Sequence, residues 1–261
     1  MPIGKEIEHR SHILGFKEAI SRAASSDDQF FTWFDSAKDK ETAFVRGSWD
    51  FMYHIALPVS AFVSGPEDMI ALEIGYGGGR ILAAASRYFK YVIGVDIHEE
   101  GEKVENELKR RGIDNYRLVK TRGNNLPLES ASVDLVYSFI VMQHIEKMEI
   151  FRSYLFEIHR VLKPAGIAVL YFGRKCVLSH GKTFKCLYYF DRFMEQVLLP
   201  RGFLELPVRV NEINLIVSLS HAKSLMKGLG FNVLDSLVSR KKVPDGIKHF
   251  GLQNGLVVRK R

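Results

Sequence analysis

A doubly wound α/β fold is predicted by three observations. Apolar runs of strand length, at residues 69–74, 91–97, 116–121, 133–140 and 167–172, alternate with segments of helical periodicity, the pattern of a parallel sheet with helical crossovers. The first run ends in a carboxylate and a glycine cluster, Glu73-Ile74-Gly75-Tyr76-Gly77-Gly78-Gly79-Arg80, and an amphipathic segment, 81–89, follows at once. This reads as strand, tight loop, helix. The second run ends in Asp96, where folds of this class place an acid against ribose hydroxyls.

The loop is built to hold a ligand, because glycine lets the backbone turn with positive φ and lets a ligand approach main-chain groups without a Cβ in the way. A dinucleotide fingerprint wants G-x-G-x-x-G with a pyrophosphate on the helix N-terminus. Here Arg80 stands where the last glycine belongs. Glu73 beside the loop would repel a pyrophosphate and suit a ligand carrying an ammonium or sulfonium cation, as S-adenosylmethionine does. Asp96 fits the ribose of either cofactor.

Leu72-Glu73-Ile74-Gly75-Tyr76-Gly77-Gly78-Gly79-Arg80, Gly94-Val95-Asp96-Ile97, Leu126-Pro127 ahead of Ser132-Val133-Asp134-Leu135-Val136-Tyr137-Ser138, Gln143-His144-Ile145 and Val161-Leu162-Lys163-Pro164-Ala165-Gly166 occur in that order. Together they resemble class I S-adenosylmethionine-dependent methyltransferases of the type 11 group, closely over residues 65–172 and loosely beyond. The resemblance implies a Rossmann-like sheet of seven strands, S-adenosylmethionine as cofactor and methyl transfer to a nucleophile. It places Glu73, Gly75, Tyr76, Gly77, Gly79, Asp96, Ile97, Asn124, Asn125, Leu126, Ser138 and Phe139 around the cofactor. Many relatives read the adenine amino group with an aspartate in the loop after the third strand; Asn124 and Asn125 stand there, and an amide both accepts and donates.

Residues 1–64 are expected to form a helical N-terminal extension and 65–261 the methyltransferase domain. In the extension, 12–20 is amphipathic, Ser25-Ser26-Asp27-Asp28 is a break and a helix start, and Trp49, Tyr53 and His54 are candidates to line the cofactor site. Residues 100–111 form a charged helix ended by Gly112, and 150–162 an amphipathic one ended at the Lys163-Pro164-Ala165-Gly166 turn. Residues 173–211 are a basic, aromatic insertion after strand five, expected to cap the acceptor site, with a dimerisation surface as the alternative. A helix over 218–229 and strands at 231–238 and 256–259 complete the chain.

No run approaches the ~18 apolar residues of a membrane span, and residues 1–10 lack the apolar core of a signal peptide. A cytoplasmic protein without a membrane partner is expected. Cys176 and Cys186 are too few for a disulfide framework or a zinc site, so no metal is expected. Residues 1–150 carry 18 Lys and Arg against 23 Asp and Glu, and residues 151–261 carry 19 against 7. This basic part is the motive for an RNA acceptor as the alternative to a small molecule.

The reaction expected is methylation of an oxygen or nitrogen of a small molecule or sugar-like metabolite. In such transfers alignment supplies much of the catalysis. His144, just past strand four, is the candidate general base. The Asn/Asp-Pro-Pro-Tyr/Phe tetrapeptide of nucleic-acid amino methylation is replaced by Ser138-Phe139-Ile140-Val141, and no cysteine stands there for base C5 methylation. A cofactor-binding module without turnover and a nicotinamide-dependent oxidoreductase are the other classes open to this sequence.

Overall fold

The computed structural model describes residues 11–261, with side chains from residue 15 onward. The reading of residues 1–10 lies outside the described residues. The helical prelude comprises α1 (Ser11–Ala23), α2 (Asp27–Trp33) and α3 (Lys40–Phe51), which runs through a π-helical stretch, Met52–Ala56, into the single turn α4 (Leu57–Val59). Asp27 and Asp28 open α2 with negative charge at its positive end. Asp39 caps α3 by accepting from the Thr42 N–H at 2.7 Å.

β1 (Ile70–Ile74), α5 (Arg80–Ala85), β2 (Tyr91–Asp96), α6 (Gly101–Arg110), β3 (Tyr116–Lys120), β4 (Val133–Ser138), α7 (Met148–Val161) and β5 (Leu162–Gly173) follow. These five strands run parallel in the order β3-β2-β1-β4-β5. The chain therefore winds outward from β1 to β3 and then returns to the other side of β1. That reversal between β1 and β4 is the switch point where such sheets bind ligands.

Beyond β5 come α8 (Lys185–Leu198), β6 (Phe203–Glu205), β7 (Leu215–Val217), α9 (Leu219–Gly228), β8 (Phe231–Arg240) and β9 (Phe250–Lys260). β9 runs antiparallel to β5, and β8 antiparallel to β9. The sheet has nine strands where seven were expected. The extra pair, β6 and β7, has three residues per strand, too short for a periodicity to register. The Lys163-Pro164-Ala165-Gly166 turn differs too: it lies within β5 as a looped-out bulge. Val133 pairs with Leu162 and Leu135 already pairs with Ile167. Asp134 secures the spot by accepting from the Ile70 N–H and from Lys163 Nζ, each at 2.9 Å.

Side chains alternate across each strand, so the sheet feeds two cores. Leu72, Ile74, Val136, Ala168 and Leu170 pack with Phe151, Leu155 and Ile158 of α7 and Met226 of α9. Ala71, Val92, Leu135, Tyr137, Val169 and Tyr171 face Phe44 and Phe51 of α3, Leu82 of α5 and Leu108 of α6. Gly47 lets α3 lie against α5: a Cβ there would fall 2.3 Å from the Arg80 carbonyl oxygen. Below this contact Arg80 donates to Asp50 at 2.6 Å, both side chains buried.

Candidate cofactor and acceptor site

At the C-terminal ends of the strands, β1 opens into Gly75 and Gly77, whose φ values of 81° and 50° lie in the left-handed region. A Cβ on Gly75 would fall 2.2 Å from Val141 Cγ2, and one on Gly77 would fall 2.7 Å from the Phe34 ring. The loop is thus clamped between the chain after β4 and the helical prelude. Asp96 closes β2 beside it. Its Oδ2 accepts the Gly77 N–H at 2.8 Å and its Oδ1 accepts its neighbour Ile97 N–H at 2.7 Å. An ionised carboxylate has about four lone-pair sites, so two remain for a ligand's hydroxyls. His98, buried, holds the loop from the other side. Its Nδ1 accepts from the Glu100 N–H at 3.1 Å, which leaves the proton on Nε2 to donate to the Gly77 carbonyl at 3.1 Å.

Gly75, Gly77 and Asp96 border a cavity of about 150 Å³. A water needs only about 10–15 Å³ by this kind of measure, so the space is sized for a ligand. Gly75, Gly77, Val95, Asp96, Ile97, Thr121 and Gly123 form one end, and Ile140, Val141, His144, Ile145, Ile150 and Tyr154 form another. Phe16, Ile20, Trp33 and Phe34 of the prelude and Asn211 cover it. Among the described residues, no lysine or arginine lines it.

His144 sits in the wall with its Nδ1–H donating to the Glu212 carbonyl at 2.6 Å and the Phe16 ring 5.5 Å away. Burial pushes the imidazole below its usual pKa, against carbonyl contacts from Glu212 and Ile140 that favour the proton. The ring is therefore neutral at pH 7, and the Nε2 lone pair accepts a long hydrogen bond, 3.4 Å, from the Gln143 side-chain amide, which an acceptor's hydroxyl or amine would displace.

Of the residues expected around a cofactor, Gly75, Gly77, Asp96 and Ile97 line the cavity. The others are placed elsewhere. Glu73 points into the core on the α5 side, where Tyr137 Oη donates to it at 3.1 Å; burial raises its pKa to about 8, against the Tyr137 bond and the Arg80 charge. The inference from its negative charge is accordingly not carried by the geometry. Tyr76 packs on His98 and Gly79 lies against Val104. Ser138 donates to the Ile74 carbonyl at 3.2 Å, and Phe139 stacks on His54 at 4.1 Å. Asn125 receives the Thr121 hydroxyl, Leu126 is buried in the core, and Thr121 and Gly123 stand in the wall where Asn124 and Asn125 were expected.

The prelude does cover the site, but not through the aromatics expected of it. Trp49 is exposed, His54 is fully buried with its Nε2 accepting from the Arg240 N–H, and Tyr53 packs on His54. Trp33 and Phe34, at the C-terminal end of α2, take their place. Of residues 173–211 only Asn211 lines the cavity. Arg174, a cation of that basic insertion, is buried. It donates to the Gly251 carbonyl at 2.7 Å and to Ser179 Oγ at 2.8 Å, with Asp191 3.6 Å away.

Residues 72–170 match the family model described as a methyltransferase domain. Residues 72–170 thus carry a methyltransferase domain of the class I S-adenosylmethionine-dependent type. Among solved structures with the same fold, the YcgJ protein of Bacillus subtilis is 17% identical, covering 80% of this chain and 99% of its own, with a TM-score of 0.56. An S-adenosylmethionine-dependent methyltransferase of Methanosarcina mazei is 18% identical over 78% of this chain and 96% of its own, with a TM-score of 0.54. Mitomycin 7-O-methyltransferase MmcR is 15% identical over 94% of this chain and 60% of its own, with a TM-score of 0.57. No curated protein sequence matches the chain.

The cofactor of this methyltransferase domain is S-adenosylmethionine. The residues present fit it: a bare glycine backbone at Gly75 and Gly77, two carboxylate lone-pair sites on Asp96, and apolar walls from Ile97, Val141 and Ile145.

Proposed function

We propose that the protein transfers a methyl group from S-adenosylmethionine to an oxygen or nitrogen of a small, largely apolar molecule. The observation that carries this reading is the cavity wall: aromatic and aliphatic side chains surround one neutral imidazole, and among the described residues no lysine or arginine faces inward. A polynucleotide or a pyrophosphate would find no partner charge there, which weighs against the RNA and nicotinamide readings.

S-adenosylmethionine, when bound, supplies an electrophilic methyl on sulfur. The chain's own task is to hold donor and acceptor in line and keep water out. Asp96, Gly75 and Gly77 are assigned to the cofactor. Phe16, Ile20, Trp33 and Phe34 would exclude water and present a flat apolar surface to the acceptor. His144, held by the Glu212 carbonyl, would take the acceptor's proton on Nε2.

The test is a screen of metabolite and RNA pools with methyl-labelled cofactor, reading acceptor-dependent S-adenosylhomocysteine. Turnover on an apolar hydroxy or amino compound is expected. Tight cofactor binding without turnover on any pool would point instead to a binding module, and label on RNA would overturn the acceptor class.

A further inference from the structure

α8 is amphipathic the wrong way round for a helix packed on a sheet. Its buried positions carry Asp191 and Glu195, and its exposed positions carry Tyr189, Phe190, Phe193 and Val197. Phe193 is 63% exposed and Tyr189 66%. Phe190, Phe193 and Val197 are spaced by three and four residues, so they form one stripe.

The face is rigidly mounted. Asp191 accepts from the N–H groups of Val177, Leu178 and Ser179 at 3.0, 2.9 and 2.8 Å, which binds the preceding loop to the helix and leaves Val177 and Leu178 exposed beside it. Glu195 accepts from Asn254 at 3.0 Å and from Arg192 at 2.9 Å. Buried carboxylates thus fix the helix with its apolar side outward.

Charge decides what this face meets. With Asp191 and Glu195 inside, no acid of residues 173–204 is exposed. Lys182 and Lys185 stand exposed at the start of the helix, Arg201 just past its end, and Lys241 beside Gly181; none has an ion-pair partner among the described residues. A second copy docked by the same face would bring these cations toward their own kind, because a two-fold interface pairs a patch with itself. An anionic lipid surface satisfies both features, taking aromatic side chains at the headgroup level and cations at the phosphates.

We infer that α8 and the 177–178 loop seat the protein peripherally on anionic membranes. This contact needs no spanning helix, and no helix among the described residues is long and apolar enough to cross a membrane. It goes beyond the expectation of no membrane partner, which considered spans alone.

Flotation of the full chain with vesicles of phosphatidylcholine alone, and of equal parts phosphatidylcholine and phosphatidylglycerol, tests it. Binding is expected on the mixed vesicles only, weakened when salt rises from about 0.1 to about 1 M and the screening length shrinks from ~10 to ~3 Å. Phe190→Ser with Phe193→Ser should lower partition about tenfold or more. Lys182→Glu with Lys185→Glu should do the same, and all variants should keep the wild-type thermal transition and cofactor affinity. Absence of flotation, equal flotation on neutral vesicles, or a dimer by light scattering that Phe190→Ser with Phe193→Ser dissociates would each overturn the proposal.

Discussion

Asp96 accepts the Gly77 N–H at 2.8 Å, which joins the end of β2 to the glycine loop after β1 as one unit. Removing the carboxylate therefore costs both the assigned ribose contact and a loop anchor. Asp96→Ala should weaken S-adenosylmethionine binding by about 1.5–3 kcal/mol, the range for hydrogen bonds to a charged group. Calorimetric titration of the folded variant gives the answer, and unchanged affinity would remove Asp96 from the site.

Gly75→Ala tests the clamp. Alanine in the left-handed region costs roughly 1–2 kcal/mol, and the new methyl would overlap Val141. Stability and cofactor affinity should both fall. Adding Val141→Ala should restore part of the loss, the steric part, and leave the backbone part. Lack of any rescue in urea melts would show that the overlap is not the cause.

The switch point and the glycine-loop end of the site were legible because glycines and strand-end acids carry local signals: Gly75, Gly77 and Asp96 read directly from the sequence. The other end was not. Trp33 and Phe34 reach the cavity from α2 through tertiary packing, and their helical spacing predicts a buried face without its partner. Glu73 misled for a related reason. A strand residue's direction follows the pleat, and Ala71 and Glu73 share the face turned to α5 whereas Leu72 and Ile74 share the other. Arg174 belongs to the basic insertion expected over the acceptor site, and its burial depends on Asp191, seventeen residues away in sequence.

Glu73 should make stability depend on pH. Its folded pKa of about 8 exceeds the ordinary 4.5, so the folded state holds a proton that the unfolded state releases between those values. The associated stability is present below about pH 4.5, falls as pH rises through the window and levels off above about 8, a loss on the order of a few kcal/mol. Glu73→Gln should flatten that slope. The check is the wild-type minus variant difference in urea denaturation at about pH 5 and about pH 9; equal slopes would mean the carboxylate is ionised in the fold.

Trp33 lines the cavity and Trp49 lies outside it, which separates their fluorescence. Titration with S-adenosylhomocysteine should change the emission of wild type and of Trp49→Phe alike. In Trp33→Phe the change should largely vanish. A response that follows Trp49 instead would place the ligand away from the prelude's inner face.

His144 decides whether the site uses a base. Its pKa is held below the ordinary 6.5 by burial, and its Nδ1–H is committed to the Glu212 carbonyl, so a proton can be taken only at Nε2. A base acts in its unprotonated form. The kcat/KM of the free enzyme should therefore rise with pH through an apparent pKa below 6.5 and be flat at neutrality. His144→Gln should lower kcat by roughly 10²–10⁴ if proton removal limits the step, abolish that pH limb, and leave cofactor affinity within about threefold, well under the ~1.5 kcal/mol expected for Asp96→Ala. A loss below about threefold with the pH limb intact would assign His144 to packing against Phe16, with alignment alone carrying the transfer.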